Sequence, residues 1–260
     1  MNERLAVCVV ANFNFLKKYF NGFKNDLRVN GNFRGEILIV TDFITPTFLF
    51  PKILFDSKVK VKRFKRIKFS EDTKHSLRNL NTNNQPNRHI NKPFQWHKIH
   101  LFSNKLKQWN HIFYMDINMK IHHDINVILQ NKPEFKLQAR ADGYPDFQWT
   151  LSSQFDKSAE NFTFLKKKFN LEINNYFQTG IMFFDTSIIN ENTKKEIINL
   201  VEDYPISITN EQGILNLYFI FIKNIYEDLP VNTNDGIVYY YWLVENQKIH
   251  ITKQNRTKNK

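Results

Sequence analysis

Apolar runs and helical periodicities alternate along the first half of the chain. Leu5–Val10 (LAVCVV) is continuously apolar and β-branched at three positions, the pattern of a strand covered on both faces. Residues 14–28 carry Phe15, Tyr19, Phe23 and Leu27 four apart, which predicts an amphipathic helix with those side chains on its inner face. Residues 36–41 (EILIVT) read as a second buried strand and residues 58–64 as a third. Strand, helix and strand in this order predict a right-handed βαβ unit. The polar, Asn-rich stretch 79–91 reads as a long loop or lid. Residues 96–108 predict a helix burying Ile99, Phe102 and Leu106, and residues 111–115 (HIFYM) a strand that ends at Asp116. Beyond this point the sheet is expected to become mixed. Phe177–Asp185 is another strand, 192–203 and 210–222 are helices, and 247–252 (QKIHIT) is a short final strand. The predicted fold class is α/β, with a mixed, mostly parallel central sheet flanked by helices. No repeat or boundary divides the chain, so one domain is expected over 1–260, with halves at about 1–120 and 121–252 and a basic tail at 253–260.

A chain of 260 residues can bury a large core without a disulfide or metal staple. Its single cysteine, Cys8, lies inside the first apolar run and reads as a reduced core thiol, which suits a reducing compartment. No stretch reads as a signal peptide or membrane span, and a cytoplasmic protein is expected. The formal net charge of +12 implies an anionic partner: nucleic acid, acidic lipid or a phosphorylated small molecule. Nucleic-acid binding would want basic residues interleaved with exposed aromatics, whereas here the aromatics fall mostly at apolar periodic positions. No nucleic-acid partner is therefore expected. Enrichment in Asn, Lys, Ile and Phe also matches the codon usage of an AT-rich genome.

In open α/β sheets ligands bind beyond the carboxyl ends of the strands. That directs attention to Ala11-Asn12-Phe13, Thr41-Asp42 and Asp116-Ile117-Asn118. Asp116 and Asn118, two apart at a strand end, point the same way and can converge two oxygens on a hard divalent cation. Taken alone, the same three residues read as a strand-end turn. His122-His123-Asp124 offers a second cluster, but consecutive side chains diverge, and it reads as a surface turn. Tyr239-Tyr240-Tyr241-Trp242 reads as a packed element.

Seven segments, in order, carry a family resemblance. They are Val10-Ala11-Asn12-Phe13-Asn14-Phe15, His97-Lys98-Ile99-His100-Leu101, Phe113-Tyr114-Met115-Asp116-Ile117-Asn118, Ala141-Asp142-Gly143-Tyr144-Pro145-Asp146, Tyr176-Phe177-Gln178-Thr179-Gly180-Ile181, Glu211-Gln212-Gly213-Ile214-Leu215-Asn216 and Lys248-Ile249-His250. Together they resemble glycogenin and its relatives in family 8 of the retaining glycosyltransferases. The resemblance implies a nucleotide-diphospho-sugar transferase fold of the GT-A type and transfer of a hexose, glucose by analogy, from a UDP-sugar to an acceptor hydroxyl with retention. It also implies Mn²⁺, with Mg²⁺ as the alternative ion, and allows a homodimer.

Carried over by resemblance, Ala11, Asn12, Phe15, Lys98, Ile117 and Lys253 would bind the nucleotide. Asp116, Asn118 and His250 would hold the metal. Asp142, Gln178, Thr179 and Gln212 would bind the sugar, and Asp142, Glu211 and Gln212 would act in catalysis. Self-glucosylation in the family makes Tyr239, Tyr240 and Tyr241 candidate acceptors. The departures are Asn118 for a second Asp, Glu211 for Asp, Gln178 for Asn, Ile208 for an Asp, and loss of the Gly-x-x-Lys-Pro-Trp stretch after His250. They weaken the expected metal site, leave the sugar open, and bring in an inactive nucleotide-sugar-binding relative as the alternative.

Overall fold

The computed structural model describes residues 3–83, 92–143, 146–241 and 244–253. Strands β1 (Leu5–Val10), β2 (Glu36–Asp42), β3 (Val59–Phe64) and β4 (His111–Met115) pair in parallel. Next come β5 (Met119–Ile121), β6 (Leu137–Ala141), β7 (Phe177–Asp185) and β8 (Tyr226–Asp228). The short strands β9 (Asn232–Thr233), β10 (Gly236–Tyr240) and β11 (Ile249–Lys253) complete the set. A seven-stranded sheet runs in the order β3-β2-β1-β4-β7-β6-β8, with β7 antiparallel to both neighbours. A second sheet of four strands runs β5-β11-β10-β9. The helices are α1 (Phe13–Val29), α2 (Pro51–Leu54), α3 (Glu71–Asn83), α4 (Asn126–Leu129), α5 (Asn161–Lys168), α6 (Thr193–Asp203) and α7 (Glu211–Asn216). The expected mixed, mostly parallel sheet flanked by helices is present. Among the described residues no helix is long and apolar enough to cross a membrane.

The continuous apolar runs have a direct cause. Alternate residues of a strand face opposite sides. Ala6, Cys8, Leu38, Val40, Ile112 and Tyr114 enter one core, shared with α6 and α7. Val7, Val9, Ile37, Ile39, Phe113 and Met115 enter the other, against α1. Both faces are covered, so the middle positions of these strands are apolar, and polar residues such as Glu36, Thr41, Asp42 and His111 stand at their ends. Cys8 is free and buried, and burial pushes its thiol pKa up.

Four local expectations are corrected. Helix α1 buries Leu16, Phe20, Phe23 and Leu27, while Phe15 is 44% exposed. The inner face is rotated because Asn12 caps the helix, its Oδ1 accepting the Phe15 N–H at 3.1 Å, so Phe15 falls in the first turn beside the sheet edge. The stretch expected as a helix over 96–108 is a 3-10 helix, Gln95–Phe102, followed by a short one, Asn104–Leu106. Trp96 to Phe102 are all buried, so no solvent face favours a regular amphipathic turn, and Ser103 adopts an extended conformation that ends it. The 210–222 helix is α7 followed by a π-helical turn, Leu217–Ile222, closed by the Lys223 N–H on the Tyr218 carbonyl at 2.9 Å. The start of the expected 79–91 loop instead continues α3 to Asn83; the remainder lies outside the described residues, as do Tyr144, Pro145, Trp242 and the tail after Lys253.

Candidate active site

The carboxyl ends of β1 and β4 open onto a cavity of about 350 Å³ lined by Val10, Phe15, Lys98, Asp116, Asn118 and Lys253 among others. Its location is where the sheet's strand order reverses, between β1 and β4, the usual ligand crevice of such sheets. Lys92, Lys98 and Lys253 on its wall outnumber the single carboxylate there, Asp116, so the cavity favours an anion.

Asp116 is the centre of a charged cluster. Strand β4 delivers it, and its N–H donates to the Gly180 carbonyl on β7 at 2.9 Å. Its Oδ1 accepts from the Tyr114 hydroxyl at 2.6 Å and lies 3.2 Å from Lys98 Nζ. Its Oδ2 accepts from Lys253 Nζ at 2.8 Å. Burial alone would raise the Asp116 pKa, but Lys98 and Lys253 outweigh it and hold the carboxyl well below its ordinary value. Lys98 is buried, which by itself would lower its pKa; Asp116 and Glu211 reverse this and keep the ammonium charged. Lys98 Nζ reaches Glu211 Oε1 at 3.0 Å, and its ammonium lies 5.4 Å from the centre of the Tyr114 ring.

Next to this cluster stands a polar network from β6, β7 and α7. Because β7 runs antiparallel to β4, its first residues lie just beyond Asp116. The Thr179 hydroxyl donates to Glu211 Oε1 at 2.8 Å, and the Thr179 N–H donates to Gln212 Oε1 at 3.1 Å. Gln212 Nε2 donates to Asp142 Oδ2 at 3.2 Å and to Gln154 Oε1 at 2.8 Å. Burial raises the Asp142 pKa, and its bonds to Gln212 and Tyr176 oppose that rise only in part. Gln178 is buried, and a side chain at Gly180 would stand 3.4 Å from Gln178 Oε1 and 3.8 Å from Asp116 Oδ2.

The sequence of α7 explains this arrangement. Asn216 clamps the start of β7: it accepts from the Phe177 N–H and donates to the Phe177 carbonyl, both at 2.8 Å. Gly213 permits close approach, since a Cβ there would stand 2.6 Å from Ser207 Oγ. Asn210, just before Glu211, holds a left-handed φ of 57°, a strained conformation for a non-glycine residue at the edge of the site.

The structure therefore brings together Phe15, Lys98, Asp116, Ile117, Asn118 and Lys253 in one cavity. Thr179, Glu211, Gln212 and Asp142 adjoin it through the bonds above. Ala11 is buried with its N–H on the Val40 carbonyl at 3.0 Å, and the Asn12 carboxamide is occupied as the α1 cap. Tyr239 is buried, so its hydroxyl is not presented to a donor.

His250 does not line the cavity. It is buried on β11, its ring 5.8 Å from that of His123, while Lys253, three residues on, reaches Asp116. Register is the cause: Lys253 pairs with Met119 and Ile251 with Ile121, so the end of β11, not its start, meets the Asp116 loop. A Mn²⁺-like ion needs several oxygen or imidazole donors converging on one point. Here both Asp116 oxygens are engaged by ammonium or hydroxyl donors, and among the described residues no three His, Cys, Asp or Glu side chains gather to hold a metal. Of the residues expected to hold the ion, Asp116 and Asn118 line the cavity, while His250 lies outside its lining with both ring nitrogens buried and unpaired.

Lys92 on the cavity wall escaped the sequence reading, and so did Tyr114 and Gln154. Tyr114 bonds Asp116, and its signal was available: it stands two residues earlier on the same strand face. Gln154 meets both Asp142 and Gln212 from a 3-10 turn, Leu151–Gln154, and nothing in the local pattern marks it.

No protein-family model and no curated protein sequence matches the chain. Solved structures do match in fold. The galactosyltransferase LgtC, in complex with donor and acceptor sugar analogues, superposes with a TM-score of 0.63 at 10% identity, covering 96% of this chain and 87% of LgtC. The bifunctional glycosyltransferase WbbM gives 0.61 at 13% identity over 100% of this chain and 47% of WbbM. Mouse xyloside xylosyltransferase 1 gives 0.51 at 10%, covering 97% of each chain. The chain thus spans about half of WbbM and nearly all of the other two. It has the GT-A fold of these glycosyltransferase structures.

Proposed function

We propose that the chain transfers a hexose, with glucose as the first donor to try, from a UDP-sugar to an acceptor hydroxyl. The observation that carries this reading is the lysine-walled cavity at the carboxyl ends of β1 and β4, in a fold shared with sugar transferases. Phe15, exposed at the cavity, would stack on the uracil ring, as aromatics do on bases. The difficult step is departure of the diphosphate. Lys98 and Lys253 would meet its developing charge, a preorganised electrostatic contribution in a partly dry site.

The sugar would lie over Gln178, Thr179 and Gln212. Asp142, tied to Gln212 Nε2 at 3.2 Å, would steady the oxocarbenium character of the anomeric carbon, and buried Glu211 would hold Lys98 and Thr179 in place. The family resemblance implies retention, and with no side chain in this set poised as a covalent nucleophile, the acceptor would attack on the face from which the diphosphate leaves. The divalent ion implied by the family resemblance enters no step of this scheme, in which Lys98 and Lys253 carry the charge on the diphosphate.

The test is a panel of nucleotide sugars assayed for UDP release in EDTA and in Mn²⁺. Release from one UDP-hexose supports the reading. Tight UDP binding with no release from any donor favours the alternative, a nucleotide-sugar-binding relative without turnover, for which Asn118 in place of a second carboxylate also speaks.

A further inference from the structure

Between β2 and β3 the chain presents an apolar surface of unusual density. Phe43, Ile44, Phe48, Leu49, Leu54 and Phe55 are all more than half exposed, from 57% to 81%. Single exposed apolar residues are ordinary; six within thirteen positions are not. The segment is not a loose loop. Ile53 and Thr47 are buried beneath it, the Phe50 ring meets that of Phe13 at 5.7 Å, and Lys24 ties it to α1 through the Lys52 carbonyl at 2.9 Å and Asp56 at 2.5 Å. Arg63 donates to the Thr47 hydroxyl. The inward positions already complete the packing, so the outward phenylalanines and leucines serve no role within the fold.

The charge around this surface is one-sided. Residues 43–68 hold eight Lys and Arg against a single acid, Asp56. Phe43 forms part of a cavity of about 400 Å³ whose wall includes Arg63, Lys65, Arg66, Lys68 and Lys194. Among the described residues, only Arg66 is neutralised there by a carboxylate, through Asp42 at 3.0 Å. Apolar side chains at the tip with basic residues behind them is the arrangement that inserts into a lipid interface while the cations meet acidic headgroups. A nucleic acid would use the cations but not Ile44, Leu49 and Leu54. The surface follows the carboxyl ends of β2 and β3, the same edge of the sheet onto which the donor cavity opens.

We infer that the segment 43–55, with the basic cavity beside Phe43, is a docking surface for a membrane bearing anionic lipids. The inference stands apart from the proposed transfer, since it uses none of the residues placed at the donor cavity.

Co-sedimentation of the full chain with phosphatidylcholine vesicles, with and without phosphatidylglycerol, tests it, with UDP binding measured in parallel as a check on folding and on the donor site. The wild-type chain is expected to sediment with the anionic vesicles and to be released by high salt. Phe48→Ser with Phe55→Ser should reduce binding roughly tenfold or more, and Lys65→Glu with Lys68→Glu by a similar factor. UDP affinity should stay unchanged in both. Three results would overturn the inference: no sedimentation with anionic vesicles, binding that the Phe variants leave intact, or a dimer in light scattering that the Phe variants dissolve while vesicle binding is absent throughout.

Discussion

Lys253 Nζ lies 2.8 Å from Asp116 Oδ2, although 137 residues separate them in sequence. The second sheet makes this contact: β11 pairs with β5 and carries its last residue to the loop after β4. The ammonium stands on the carboxylate that the family resemblance would give to a cation.

Lys253→Met should weaken UDP binding in EDTA by about tenfold to a hundredfold, the loss of one charge-assisted contact. Isothermal titration reads it directly. Unchanged affinity would remove Lys253 from the donor site.

The combined variant Lys253→Met with Asn118→Asp should acquire a dependence on Mn²⁺. Removing the ammonium frees Asp116 Oδ2, and the new carboxylate supplies a second hard donor two residues away. UDP titrations with and without Mn²⁺ should diverge in this variant and coincide in the wild type.

Phe15 and Phe20 should part in their effects. Phe20→Ala opens a hole in the core and should cost about 3–5 kcal/mol in urea unfolding. Phe15→Ala should leave stability within about 0.5 kcal/mol, as exposed positions do, while removing about 1–3 kcal/mol of UDP affinity.

These two residues mark how far the sequence could be read. The long strands β1, β2, β4 and β7 were legible because burial on both faces leaves uninterrupted apolar runs. The direction in which Phe15 points was not, because the Asn12 cap fixes the start of α1 and so rotates its inner face. The 3-10 stretch around Lys98 carries apolar residues compatible with several turn types. Asp116 was legible from its place at the end of a buried strand, whereas Gln212 and Asp142 were legible only by family resemblance, since an isolated carboxylate or amide has no periodic signature. The role of Lys253 depends on the register of β11 against β5, which short strands of mixed composition do not fix.

Glu211 and Lys98 form a buried ion pair at 3.0 Å. Glu211→Ala should destabilise the chain by about 3–5 kcal/mol, because Lys98 keeps its charge with one partner fewer. Glu211→Gln preserves the acceptor for Thr179 and should cost less. Urea unfolding separates the two.

The acid side of the rate profile should report on Asp142. Burial raises its pKa, so the ionised form is lost at a pH above the ordinary Asp value of about 3.9. Asp116 is shifted the other way. Its contribution to stability is present above the unfolded-state value and is lost only as pH falls through its depressed folded value. The acid limb should therefore disappear in Asp142→Asn, at a reduced rate, while Asp116 stays ionised across it.

The most direct measurement is UDP release from UDP-glucose and other UDP-hexoses in the presence of EDTA. The account predicts release from at least one donor, undiminished by the chelator and abolished when Lys98 and Lys253 are both replaced by Met. Release that stops in EDTA and returns with Mn²⁺ would contradict the lysine-based scheme, and no release from any nucleotide sugar under either condition would contradict sugar transfer itself.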